Sequence, residues 1–218
     1  MSLPLSSASA ASAADQLREL QERIHLLQGR RNKEGMYPLL PCFSPLLPSG
    51  LRAGSAYSLE APLSVAMALL AGASAEGEWC GVAGIPEFGA EAAAGFGISL
   101  ERLVLVPDLG ERWLVTLSAL ADVLPLVLLR APARASGGDA SRLASRLRER
   151  GCTLIVLGTW PQSEGVIRVE AARWDGLGEG HGHLRSHPMQ LAYSNRGRKR
   201  TAVVDLASLR SGTGSAGR

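Results

Sequence analysis

Residues 55–72 read SAYSLEAPLSVAMALLAG, and the parsing of this stretch decides the architecture. Ser55–Leu59 is a short strand-like run, and from Leu63 the pattern becomes apolar and alanine-rich, which predicts a helix over 63–75. In an ATP-binding α/β protein such a junction carries a glycine-rich loop ending in Gly-Lys-Ser or Gly-Lys-Thr. Here it is a tight turn, Glu60-Ala61-Pro62-Leu63-Ser64. A phosphate loop needs successive backbone N–H groups converging on the phosphates and a lysine on the β/γ oxygens. Pro62 has no N–H to offer, Leu63 and Val65 put branched carbon where oxygens would sit, and no lysine lies between Lys33 and Lys199. Pro62 fits the first position of a helix, where a missing donor costs nothing. The turn therefore reads as a degenerate nucleotide site with a structural role and no cofactor.

Outward from this turn the pattern is regular. Further strands are predicted at 79–84, 103–106, 125–129 and 153–158, with helices at 87–95, 109–121 and 139–150. The strands are continuous apolar runs, as in a parallel sheet covered on both faces. The alternation predicts an α/β, three-layer core with a mainly parallel sheet. After residue 165 helices end, and VIRVEAARW, PMQLAYS and TAVVDLA read as C-terminal strands. Before the core, DQLRELQERIHLLQGRR (15–31) is a charged helix with a narrow stripe of Leu17, Leu20, Ile24 and Leu27. Pro38, Pro41, Pro45 and Pro48 then forbid a long helix and suggest an extended connector on a surface. The organisation expected is a disordered tail at 1–14, helix and proline-rich linker at 15–53, core domain at 54–208, and a disordered tail at 209–218.

Composition sets limits. At 218 residues the chain holds one well-buried α/β domain, and 46% apolar with 20% charged residues is an ordinary globular balance. A net charge of +3 does not itself mark a nucleic-acid binder, although residues 166–218 carry nine Lys/Arg against four Asp/Glu. Cys42, Cys80 and Cys152 form no disulfide framework, and Cys80 and Cys152 read as small core residues, which points to a reducing cytoplasm. The apolar run from Trp113 is interrupted by Asp122 and Pro125, so no membrane span is expected.

The magnesium side of a nucleotide site is also missing. An aspartate normally ends the strand that faces the metal, and here Leu126–Leu129 ends in Arg130, which repels a cation. Hydrolysis is not expected, and the protein reads as a non-enzyme.

The order of pieces resembles the recombinase core of RecA: N-terminal helix, linker, strand-turn-helix, then WCGVAGIPEFGAEAAAGFGISLERLVLV. By that resemblance Glu87 stands in the place of the catalytic glutamate, and Gly97-Ile98-Ser99-Leu100 matches a turn before the next strand. LLPSGLRAGSAYSLEAP and RWDGLGEGHGHLR are similar to ImuA-type proteins, in particular the actinobacterial ImuA-prime branch, RecA-like accessories of SOS-induced mutagenesis. The resemblance implies a non-catalytic adaptor in translesion synthesis. Its implied partners are RecA, an ImuB-like Y-family hub protein and, through the complex, an error-prone C-family polymerase. It also implies that Leu17, Leu20, Ile24 and Leu27 dock on a partner, as the equivalent arm does in RecA filaments. The loops that would bind DNA in RecA, APARASGGD and WPQSEG, are short and hold one arginine, Arg134, between them. A nucleotide-binding or ATP-hydrolysing regulator with an unorthodox loop and a SulA-like cell-division inhibitor remain as alternatives.

Two clusters complete the reading. His181, His183 and His187 form H-x-H-x3-H in a glycine-rich loop, but with Glu179 alone nearby the zinc ligand set is incomplete and no metal is expected. NRGRKR (195–200) reads as a solvated hairpin turn whose Arg196, Arg198, Lys199 and Arg200 can add an auxiliary, weak DNA contact.

Overall fold

The computed structural model describes residues 35–173 and 186–211, all within one unit spanning 33–218. A short antiparallel ribbon, β1 (Met36–Tyr37) and β2 (Leu51–Arg52), precedes the main sheet. The strands of that sheet are β3 (Ala56–Glu60), β4 (Cys80–Ala83), β5 (Leu103–Val106), β6 (Leu126–Leu129), β7 (Thr153–Leu157), β8 (Gly165–Ala172), β9 (Pro188–Asn195) and β10 (Arg198–Asp205). Among the described residues they lie in the order β10-β9-β8-β3-β7-β6-β4-β5. From β8 to β5 every pairing is parallel, and β9 and β10 add an antiparallel flank. The α/β class and mainly parallel sheet expected from the sequence are observed.

Two helical layers cover the sheet. On one face lie α1 (Leu63–Ala75), α2 (Ala90–Gly95) and the C-terminal α5 (Leu206–Ser211), packed on Tyr57, Leu59, Leu126, Leu128 and Ile155. On the other, α3 (Trp113–Val123) and α4 (Gly137–Arg150) cover Val127, Leu129, Leu154 and Val156. Alternate strand residues thus feed opposite cores, which is why β6, and β7 after Thr153, are apolar. In α1, ten successive residues from Val65 to Ser74 are buried, the mark of a helix apolar on all sides. Between α3 and α4, Asp122 accepts hydrogen bonds from Arg146 Nε at 2.6 Å and Nη2 at 2.5 Å, and Arg150 joins it at 3.1 Å.

Element ends follow local chemistry. Asp108 Oδ1 accepts from the Gly110 N–H at 2.8 Å and Gly110 has φ 61°, so the chain turns there and α3 starts at Trp113, later than 109. Ser136 and Asp139 form a reciprocal capping box, so α4 starts at Gly137, earlier than 139. Gly151 in the left-handed conformation stops the same helix. At the C-terminus, strand β10 begins at Arg198 rather than Thr201, and α5 carries the ordered fold across the boundary expected at 208.

The largest correction concerns the proline-rich connector. Pro41, Pro45 and Pro48 are exposed, but the segment does not merely lie on a surface. A 3-10 turn at Pro41–Phe43 bends it inward, and Phe43, Leu46, Leu47 and Leu51 are buried in the same core as α1. Tyr37 donates its hydroxyl to the Gly151 carbonyl at 2.8 Å, tying the connector to the turn after α4. Prolines exclude a long helix, but they do not exclude burial when apolar residues are interleaved with them.

Candidate functional site

The carboxyl ends of parallel strands are where open α/β sheets bind ligands. Here the turn Glu60–Ser64 leaves β3, the segment Gly84–Glu87 leaves β4, Arg130 leaves β6 and Gly158–Trp160 leaves β7. Pro62 sits at the N-cap of α1 (φ −57°, ψ 154°), one residue before the helical position expected for it. Its carbonyl accepts the Val65 N–H at 2.9 Å, and no side chain caps the helix. Ala61 and Leu63 pack against the main core. The turn thus spends its side chains on packing and presents no lysine.

Glu60 points elsewhere. Its carboxylate lies 3.5 Å from Arg168 on β8 and accepts from the Thr159 hydroxyl at 3.4 Å. Strand register puts it there, since Glu60 and Arg168 are direct partners in the β3–β8 pair.

The ends of β4 and β6 lie side by side, with Ala83 opposite Leu129. Glu87 and Arg130 meet there at 2.5 Å. The Glu87 carboxyl is held below its ordinary range, first by its own backbone N–H and then by the Arg130 guanidinium. Gly84 permits this approach, because a Cβ there would stand 2.5 Å from the Arg130 carbonyl oxygen. The carboxylate and the cation named separately from sequence therefore neutralise each other. The pair lowers the basicity of Glu87, since a carboxylate held in its charged form takes up a proton less readily.

The two loops expected to be short are also engaged. Arg134 donates to the Gly110 carbonyl at 2.6 Å and lies 3.5 Å from Glu111. After β7 the chain runs back along β3 to start β8. Trp160 is buried on the way and donates its backbone N–H to Ser58 Oγ at 2.9 Å. Gln162, at φ 60°, donates to Ser141 on α4, and Glu164 N–H bonds Ala56 O at 2.7 Å.

A family model described as the MT3502 N-terminal domain matches residues 45–162, more than half of the chain. The chain belongs to this family. The match of this MT3502 N-terminal domain runs from the connector through β7 to Gln162, so it includes the β3–α1 turn and the Glu87–Arg130 pair. Comparison with curated proteins gives no match. Among solved structures, the chain is similar to the KaiC-like protein PH0186 from the hyperthermophilic archaeon Pyrococcus horikoshii OT3. The TM-score is 0.50 at 17% identity, over 81% of this chain and 98% of that one. This likeness shows the fold, a RecA-like core.

The remaining site residues fall as follows. Leu17, Leu20, Ile24 and Leu27 lie outside the described residues, as do Glu179, His181 and His183. His187 donates its backbone N–H to Asp205 at 2.9 Å. Among the described residues no cluster of metal-ligating side chains occurs, and no helix is long and apolar enough to cross a membrane. NRGRKR forms the β9–β10 hairpin, with Arg196 (φ 45°) and Gly197 (φ 80°) as its two-residue turn. Arg198, Lys199 and Arg200 belong to β10 itself. Strand alternation separates them: Lys199 turns to the face where it pairs with Glu170, while Arg198 and Arg200 line a cleft with Arg52, Tyr57 and Tyr193. Sequence reasoning missed Arg52, which strand pairing alone brings to that cleft.

Proposed function

We propose that this protein is an ImuA-type, RecA-like adaptor of SOS-induced translesion synthesis that works without ATP hydrolysis. The observation that carries the reading is the Glu87–Arg130 ion pair at 2.5 Å, set beside a β3–α1 turn whose N-cap is a proline. A carboxylate bound to a guanidinium is a weakened base, and a turn without lysine lacks a phosphate clamp. What the fold retains is shape and surface. The adaptor joins RecA and an ImuB-like Y-family hub, which in turn holds an error-prone C-family polymerase. The stripe Leu17, Leu20, Ile24 and Leu27, which the sequence pattern predicts on one helix face, is the docking element, because a narrow apolar face fits a partner's groove.

The test is capture of partners by the full chain from DNA-damaged cells, comparing wild type with Leu20→Asp/Ile24→Asp. Wild type retains RecA and the Y-family hub, and the variant loses at least one of them by a factor above roughly ten, as expected when an apolar anchor is replaced by a charge. Capture of a cell-division protein, or of neither partner, sinks the adaptor reading. Purified protein is also expected to hydrolyse ATP no faster than buffer and to gain no thermal stability from millimolar nucleotide. Hydrolysis that Glu87→Gln abolishes would overturn the claim that the site is inert.

A further inference from the structure

At the opposite end of the sheet from Glu87 and Arg130, the structure carries a second concavity. β3 pairs with β8 from Tyr57 and Gly165 onward, and β9 ends beside them at Asn195 because it runs antiparallel to β8. The β9–β10 hairpin and the β2 end of the connector close this region into a cleft of about 560 Å3. Among the described residues, Arg52, Arg196, Arg198 and Arg200 line it against a single carboxylate, Glu164.

The charge of these arginines is uncompensated. Arg130, Arg134, Arg146, Arg150, Arg168 and Lys199 each reach a carboxylate. Arg52, Arg196, Arg198 and Arg200 form no ion pair among the described residues, and all four are exposed. Four like charges facing one hollow repel one another, and an anion relieves that repulsion. Arg198 and Arg200 stand on the same face of β10, about 7 Å apart at the rise of an extended strand. That spacing suits successive phosphates along one strand.

The floor is rigid and built. The Tyr193 ring lies over Gly165, where a Cβ would meet ring atoms at 2.4 Å, and stacks tilted on Tyr57 with centroids 6.4 Å apart. Asn195 donates to Glu164 and to the Tyr193 hydroxyl, each at 3.3 Å. Met36, Leu47 and Pro48 add apolar surface to the same cleft, with Met36 the direct cross-strand neighbour of Arg52. Arginines and apolar side chains lining one cleft match a ligand that carries both phosphates and bases. The open cleft, at about 560 Å3, is of a size to take a nucleotide or two.

We propose that this cleft binds the phosphodiester backbone of single-stranded nucleic acid through Arg52, Arg198 and Arg200. The interaction is independent of the adaptor role, and its test contains no partner protein. Binding of a fluorescein-labelled oligo(dT) of about 20 nucleotides, long enough to span such a site, and of a matched duplex is followed by anisotropy across a salt series. Wild type binds the single strand more tightly than the duplex. Arg198→Ala/Arg200→Ala weakens single-strand binding by about tenfold or more and flattens the slope of log K against log salt by about 0.7 for each phosphate no longer neutralised. Arg52→Ala, on a different element, weakens it severalfold. Lys199→Ala, on the far face of the same strand, changes it by less than about twofold. Glu164→Gln, which keeps its hydrogen-bonding shape and removes a carboxylate from the cleft, tightens it, an outcome no folding defect produces. The proposal is overturned if wild type does not bind the single strand at low salt, if Lys199→Ala costs as much as the double variant, or if a poly-glutamate peptide binds the cleft in its place.

Discussion

Raising the pH from 8 to 10.5 is expected to destabilise this protein by roughly 4 kcal/mol through two thiols alone. Cys80 and Cys152 are fully buried, free cysteines. Burial pushes the Cys80 thiol up to about 12, aided by Glu78, and raises Cys152 further, aided by Asp122. In the unfolded chain both ionise near the ordinary value of 9.0. Folded-state values above unfolded ones mean that the native state holds protons the unfolded state releases. Stability is therefore full below about pH 9 and falls by about 1.4 kcal/mol per pH unit for each thiol above it. Tyr57, pushed up to about 12 by burial, and Tyr37, raised further by burial with Cys152 and Glu78, add to the loss above about pH 10, the ordinary phenol value. Urea midpoints at constant ionic strength should be level to about pH 8.5 and then drop steeply. In Cys80→Ala/Cys152→Ala the midpoint starts lower, from poorer packing, but stays nearly level between about pH 9 and 10. A wild-type midpoint that is flat to about pH 10, or an unchanged slope in the double variant, would show that these thiols ionise in the folded protein.

The fold was legible where side-chain periodicity and secondary structure agree. The short apolar runs expected as strands at 125–129 and 153–158 are strands with cores on both faces, at Leu126–Leu129 and Thr153–Leu157. The turn at Glu60–Ser64 was legible by its missing groups, since a loop without lysine is read from residue types alone. The connector misleads because proline spacing constrains backbone shape and says nothing of burial; Phe43, Leu46 and Leu51 carry the contrary signal. The start of α4 is present in Ser136-x-x-Asp139 and needs only the capping rule. The Glu87–Arg130 pair is beyond sequence reading, because its partners follow β4 and β6 and only strand order brings them together. Arg52 and Arg200 lie far apart in the chain, and the same argument applies to them. The separation of Lys199 from Arg198 and Arg200 follows from a period of two once the segment is known to be a strand rather than a turn.

Replacing Gly72 with alanine is expected to lower stability by about 2 kcal/mol, although helix propensity favours alanine by up to about 1 kcal/mol. Gly72 lies inside α1, and nothing in a single sequence distinguishes it from a helix-weakening accident. A Cβ there would stand 2.6 Å from the backbone Cα and carbonyl carbon of Leu39 and 2.7 Å from the Pro38 carbonyl oxygen. Those atoms are main chain and cannot rotate away, and the connector holding them is anchored on either side by Tyr37 and Phe43. To admit the methyl group the connector must lift from α1 and loosen the burial of its apolar residues. Thermal melts should show Gly72→Ala falling by about 4–8 °C for a chain of this size. Gly138 in α4 is the control: it is exposed, and a Cβ there meets only Ser136 Oγ at 3.6 Å. Gly138→Ala should leave the melt level or raise it slightly. If Gly72→Ala melts at or above wild type, propensity has outweighed packing and the connector does not bear on α1 as described. If it falls while Gly138→Ala holds, close backbone approach is the reason a glycine occupies a buried helix. The proline-rich segment then belongs to the core that the degenerate turn helps to build.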